Sequence, residues 1–475
     1  MMYCAYRLFW GDVLGCAELQ VRGFSMGLKP YRLFAAFALS CLMVFSASAQ
    51  GLLRDAEIES SLRRWTNPIL DAAGLQPDDV QIFLLNDPSL NAFVANGQRI
   101  HLFSGLIIAC EKPEELLGVI AHETAHISAG HTVTRTAAAG AAGRVSLVSI
   151  GLGVLAIAAG EGQAGAALIA GSQQFAAATF FKHTRAEEAT ADQLAVKYLS
   201  KVGLTSVGLS DFFENYAYQE ALSEARRFEY FRSHPLSRDR IRSIRQVSEE
   251  TGLLDAYADD QTQHEFAMMR AKLIGFLSTP NKVYVTYPKS DTSVPARYAR
   301  AISAFRHSDI NVAISEVDTL IAEQPENPYF YELKGDILFD SGRAEESVAA
   351  YETALELLDH PLIRISMARS LTARGQTGDL KRAEESLLDA LIAEPNNAFA
   401  WNQLAATLDK LERRPEAQLA TAESAYHIGD YQRAHSFAAR SLQDLEPRTP
   451  KSIRARDIVA ITDPRLEENR NRFRR

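Results

Sequence analysis

Small side chains recur at Ala313, Ser347, Ala383 and Ala417, with spacings of 34, 36 and 34 residues, in the last third of a 475-residue chain. Prolines keep step at Pro325, Pro361 and Pro395, Ala354 and Ala390 stand 36 apart, and Gly335, Tyr331 and Tyr351 fill further places of the same unit. A period near 34 fits one helix–turn–helix per unit. Such a unit cannot close a core alone, so it buries its small residues against the next, and the stack becomes a solenoid with a concave face. DYQRAHSFAARSLQDL supplies the last helix.

This is the tetratricopeptide signature, and it occupies residues 298–446. The chain is too long for one domain, and at 47% hydrophobic and 23% charged it can bury a sizeable core. Residues 279–297, TPNKVYVTYPKSDTSVPAR, hold three prolines and read as a linker. Residues 50–278 then form a separate domain ahead of the repeats, and 447–475 a charged C-terminal tail.

The first 49 residues read as an export signal. Lys29 and Arg32 precede the apolar run LFAAFALSCLMVF, and SASA follows with small residues at Ala47 and Ala49. Met26 is the expected true start, and the run is short for an uncleaved membrane anchor. Removing Arg7, Arg22, Lys29 and Arg32 with Asp12 and Glu18 takes the net charge from −9 to −11. Nothing in that balance favours nucleic acid or an anionic membrane. Only Cys110 survives, so no internal disulfide is expected. Export without disulfides suits a bacterial periplasm. Thr136 to Phe181 is mostly Ala and Gly and reads as a close-packed helical hairpin rather than a membrane-inserting one, with at most peripheral membrane contact.

The chemistry gathers at GVIAHETAHISAGH. His122 and His126, four apart on a helix, share one face and can grip one cation. Glu123 points aside from that cation, where it can take a proton from the attacking water. A third protein ligand is then required. His131 stands nine residues after His122, one short of the metzincin spacing, and Ala129 replaces the glycine of that pattern. It is better read as a supporting histidine near the helix end. HTRAEEATADQLAVKYL offers Glu188 and Asp192, four apart. One carboxylate can bind the metal while the other holds a ligand imidazole through its ring N–H. Glu187 has alanine four residues on, so Glu188 is preferred. His234, ahead of Pro235, can face the metal from a rigid turn, either stabilising an oxyanion or taking the fourth position at rest.

HETAH at 122–126, R-x-x-E-x-x-A-D from Arg185 to Asp192, and SHP with R-I from Ser233 to Ile241 together resemble the gluzincins related to the CAAX prenyl protease and the membrane heat-shock protease. The export signal, the NAFVANGQRI strand, the KLIGFL helix and the repeats make the chain similar to the BepA-like periplasmic metalloproteases. The resemblance implies one zinc ion per chain on His122, His126 and Glu188, with Glu123 as general base, Asp192 behind a ligand and His234 capping the metal. It also implies unfolded or misassembled substrates and repeats that recruit the outer-membrane protein assembly machinery. Asn96-Gly97-Gln98 stands where relatives often carry paired glycines, which bears on subsite preference and not on the chemistry.

The expected fold is mainly α with a small β-sheet, a zincin-like metalloprotease domain followed by a tetratricopeptide solenoid. Asn91 to Ile107 is expected to align the substrate by β-addition. A chaperone or assembly scaffold with a latent protease site is the competing reading.

Overall fold

The computed structural model describes residues 51–95, 97–131, 184–223 and 227–465. The expected export signal and the Ala/Gly-rich hairpin lie outside the described residues. A four-stranded sheet is built from β1 (Gly51–Leu53), β2 (Gln81–Asn86), β3 (Ala92–Ala95) and β4 (Arg99–Phe103), in the order β1-β2-β4-β3. β2 and β4 run parallel, and the two outer pairs are antiparallel. Leu84, Leu102 and Ala92 share one cross-strand row and point into the core. The next row, Phe83, His101 and Phe93, stacks on the opposite face, with ring centroids 5.3 and 4.6 Å apart. The strand expected to reach Ile107 ends at Phe103. There Ser104 Oγ and the Gly105 N–H both donate to the Asp87 carbonyl, at 2.9 Å, and the chain turns into helix α1 (Ser104–Ala109).

Helix α2 (Pro113–Ser128) is buried from Pro113 to His126 and runs beside β3. Its proline and two glutamates start the first turn as expected. They are also tied down. Glu114 Oε1 accepts from the Ala258 N–H at 2.9 Å and Gln263 Nε2 at 2.7 Å. α2 packs against α3 (Val207–Asn215) at backbone distance: a Cβ on Gly118 would stand 2.8 Å from Leu209 Cβ, and one on Gly208 2.3 Å from the Glu114 backbone. No larger residue fits either place. The metal-motif helix therefore lies against its neighbour at backbone distance.

Five helix pairs follow among the described residues. They are Val294–Arg306 with Ile310–Glu323, Pro328–Asp340 with Ala344–Leu357, Pro361–Arg374 with Thr377–Ala393, Ala398–Lys410 with Arg414–His427, and Tyr431–Asp444 with Pro450–Ile461. The recurring Ala313, Ser347, Ala383 and Ala417 are all buried between helices. The 279–297 linker contains a helix at Pro280–Thr286, and the next begins at Val294. Two of its three prolines start helices, since Pro280 and Pro295 occupy first-turn positions where no N–H is needed. The charged tail likewise contains the Pro450–Ile461 helix. It buries Ala455 and Ile458, and Arg454 donates to both oxygens of Glu423 at 2.6 and 2.7 Å.

The repeats hold the protease domain through a buried charge cluster. Asp55 caps the helix Ala56–Ala72 by accepting from the Ile58 N–H at 3.0 Å, and its carboxylate meets Lys272 Nζ at 2.8 Å. Lys272 also contacts Glu57 at 3.1 Å, and Glu57 accepts from the Tyr298 hydroxyl at 2.9 Å. Glu332, from the repeats, faces the same ammonium at 4.0 Å with Oε2 otherwise unpaired. Ala56 itself packs among repeat side chains. Three carboxylates around one lysine leave an excess of negative charge in a dry site. Burial, with the Asp55 and Asp336 charges, pushes Glu332 up to about 8 against the pull of Lys272.

An acid raised in the folded state makes folding bind a proton. Its contribution to stability is full below 4.5 and is lost as pH rises toward about 8. Glu332→Gln is therefore expected to flatten the fall in thermal midpoint between about pH 5 and about pH 8, measured by circular dichroism melts. An unchanged slope would show that Glu332 is not the group that titrates.

Candidate metal centre

Three elements converge on one point. α2 supplies His122, Glu123 and His126, and the helix over residues 184–201 supplies Glu188 and Asp192, one turn apart. The residue after the short helix Glu229–Ser233 supplies His234. All six are buried. His122 Nε2 stands 3.1 Å from His126 Nε2 and 3.3 Å from His234 Nδ1. Glu188 Oε2 lies 3.2 Å from His122 Nε2 and 3.0 Å from His234 Nδ1, and Glu188 Oε1 lies 3.5 Å from His126 Nε2.

These separations match the chemistry of the donor set. Donors on a tetrahedral zinc with bonds near 2.0–2.1 Å stand about 3.3–3.4 Å from one another. Two buried imidazole nitrogens at 3.1 Å, with a carboxylate beside them, need a cation or shared protons between them. His122, His126, Glu188 and His234 therefore fit a zinc ion, which supplies Lewis acidity to a carbonyl and an acidified water when bound.

Behind this group lies a second set of contacts. Asp192 Oδ1 meets His122 Nδ1 at 3.0 Å, in ion-pair contact though not aligned as a hydrogen bond. Arg240 grips both Asp192 oxygens at 2.8 Å, lies 3.3 Å from Glu188, and anchors itself on the Pro235 carbonyl at 2.8 Å. His131 Nδ1 meets His126 Nδ1 at 2.9 Å. Each histidine of the motif thus has its far nitrogen held. Glu187 is not part of the ligand group.

Two groups face the centre with unused hydrogen-bonding capacity. Both Glu123 oxygens lack hydrogen-bond partners among the described residues, with His234 Nε2 3.5 Å from Oε1. The Tyr230 hydroxyl is buried and has no partner among the described residues, and its ring stacks on His234 with centroids 4.7 Å apart. Arg240 entered from the sequence only as the arginine of the R-I pair within Ser233 to Ile241, with no role assigned, and Tyr230 did not enter at all. Arg240 carried a faint signal, since it shares the buried helix face of Ile241, Ile244 and Ser248 while Arg238, Arg242 and Arg245 face water. Tyr230 carried none.

The electrostatics follow from this packing. Burial alone would depress His122, yet Asp192 and Glu188 outweigh it and push the imidazole up to about 9. Burial would likewise raise Glu188, but the His234 and Arg240 charges hold it well below the usual carboxylate range. Asp192 is lowered against the same burial by Arg240 and His122.

Comparison with known proteins agrees with this geometry. Residues 53–248 match peptidase family M48, and residues 298–359 match a tetratricopeptide repeat. The chain is similar to the beta-barrel assembly-enhancing protease of Escherichia coli, at 23% identity over 77% of this chain and 74% of that one. Its counterpart in Yersinia pestis is 22% identical over 72% of this chain and 70% of its own. Metalloprotease LoiP of Escherichia coli is 27% identical over 50% of this chain and 93% of its own. The chain is a metalloendopeptidase with an M48 peptidase domain and tetratricopeptide repeats.

Two outcomes test the centre. Zinc needs neutral imidazole, and His122 carries a proton below about 9 in the metal-free protein. Zinc binding at neutral pH should therefore release a proton. Calorimetry in two buffers of different ionisation enthalpy will detect it, and identical heats in both would refute the shift. Arg240→Ala, which frees Asp192 behind His122, should weaken zinc affinity by about 10–100-fold in a chelator competition. Parent-like affinity would leave Arg240 a packing role only.

Proposed function

We propose that this metalloendopeptidase uses zinc to cleave misfolded or stalled exported proteins, in the quality control and assembly of outer-membrane proteins. The observation that carries the reading is the pairing of a possible donor set with a buried Glu123 whose oxygens have no hydrogen-bond partner among the described residues. A structural metal site has no use for such a carboxylate. Glu123 accepts the proton of the attacking water and later returns it to the leaving amine.

β3, at the edge of the sheet beside α2, receives the substrate main chain as an added strand. That assignment narrows Asn91 to Ile107 to the short stretch Ala92–Ala95, because β4 is paired on both sides. The strand and Tyr230 are linked, since the Tyr230 N–H donates to the Leu90 carbonyl at 3.3 Å. Substrate on the edge can thereby reach the segment that carries His234.

The setting is the periplasm. Support comes from the leader expected in residues 1–49 and from Cys110 as the sole cysteine beyond it. The repeats would recruit the assembly machinery, in keeping with the name of the relatives at 23% and 22% identity. No described helix is long and apolar enough to cross a membrane.

A second reading has an observation of its own. His234 Nδ1 stands at hydrogen-bond distance from His122 and Glu188, in the place a water or substrate oxygen would need. A histidine in that place would close the centre. That suits a chaperone or scaffold whose protease site opens only on demand.

Glu123→Gln separates the two. It should reduce cleavage of unfolded casein by at least about 10²-fold while zinc content stays at one per chain. Undiminished cleavage would remove Glu123 from the mechanism. A cellular phenotype that survives the change would assign the main role to binding.

A further inference from the structure

β1 covers only half of its neighbour. Its three residues pair with Leu84, Leu85 and Asn86, so the outer edge of β2 at Gln81, Ile82 and Phe83 has no strand partner among the described residues. The chain does not continue that pairing, because after Leu53 it turns into the helix capped by Asp55. A cavity of about 650 Å³ opens on this bare edge. Gln81 and Phe83 line one side, and the repeat loop 393–397 with His427 lines the other. This volume is ample for a few extended residues.

The charges in the cavity are unbalanced. Its two carboxylates, Glu59 and Glu394, both hold Arg54, at 2.7 and 2.6 Å. Arg63 and Arg99 also line it, and no ion pair holds either among the described residues. Arg63 only donates to the Pro77 carbonyl at 3.1 Å, and burial lowers its affinity for its proton even with Asp78 and Glu59 acting from farther off. Both cations mark the same end of the open edge. Arg99 pairs across the sheet with Gln81, and Pro77 lies just ahead of that residue.

A bare strand edge recognises extended main chain, and paired guanidinium groups recognise a carboxylate. We propose that this cavity is a second peptide site that receives the C-terminal end of an extended polypeptide. The main chain would lie on Gln81–Phe83, antiparallel to β2 as β1 is, and the terminal carboxylate would meet Arg63 and Arg99. The chain end fits better than an internal acidic residue, because the cations sit at the finishing end of such a strand. The site lies at the edge of the sheet opposite β3, about 14 Å across three strand spacings. One polypeptide could thus be held by its end here while an upstream segment lies on β3.

The proposal rests on the reading of the protein as one that handles unfolded chains, but its test needs no cleavage. The probe is an N-terminally fluorescein-labelled hexapeptide of alternating valine and threonine ending in phenylalanine, as free acid and as C-terminal amide. Each is titrated by fluorescence anisotropy into the protein carrying Glu123→Gln. The acid should bind roughly tenfold more tightly than the amide, the effect of one charge-assisted contact. Arg63→Gln combined with Arg99→Gln should erase that preference, and zinc removal should leave it intact. Equal binding of acid and amide would overturn the proposal, as would a preference that survives the double substitution.

Should the double variant fail to fold, a photoreactive side chain at the exposed Asn396 gives an independent answer. Cross-linking of the labelled acid, competed by unlabelled acid and not by amide, supports the site. Equal competition by both contradicts it. Loss of casein cleavage in the parent with the acid preference intact would count against the proteolytic reading alone.

Discussion

Two imidazole nitrogens 3.1 Å apart, sealed from water, are the constraint on which the rest of this structure depends. Their lone pairs repel unless a positive charge stands between them. Everything around them keeps them together. α2 is buried from Pro113 to His126, and the reciprocal contacts at Gly118 and Gly208 let α3 pack against it at backbone distance. Arg240 holds Asp192 against His122, and His131 holds His126. The fold brings the donors to metal-binding spacing and holds their far nitrogens. That arrangement lowers the cost of assembling the site.

The remainder of the molecule can be read as support for that point and access to it. The sheet offers β3 beside the metal helix and, at its opposite edge, the unpaired half of β2 facing the repeats. The repeats do not hang free. Lys272, gathered by Asp55, Glu57 and Glu332, joins them to the first helix of the protease domain, and Arg54 bridges Glu59 and Glu394 nearby. A buried lysine among three acids is a poor source of stability compared with apolar packing. Its effect is to fix one arrangement of the two parts.

Much of this was legible in the sequence, for physical reasons. Helical periodicity is local, so His122 with His126 and Glu188 with Asp192 declare a shared face by spacing alone. The repeats declare themselves because each unit buries the same small residue. Contacts between distant segments were less legible. Nothing local shows that QIFLLN lies parallel to RIHLF, or that one arginine among four in RDRIRSIR turns inward to Asp192. The prolines of 279–297 misled because the same residue that breaks a helix also starts one. The C-terminal segment misled because its charges are partly neutralised in the fold, as Arg454 is by Glu423.

The central claim is that His122, His126, Glu188 and His234 form one metal site, with His234 as the fourth donor at rest. Zinc K-edge absorption on the protein and on His234→Ala tests it most directly. The account predicts a four-coordinate nitrogen and oxygen shell at about 2.0–2.1 Å with three imidazoles in the protein and two in the variant. The same imidazole count in both would mean that His234 does not bind the metal. A shell with no imidazole would mean that the motif helix is not the site at all.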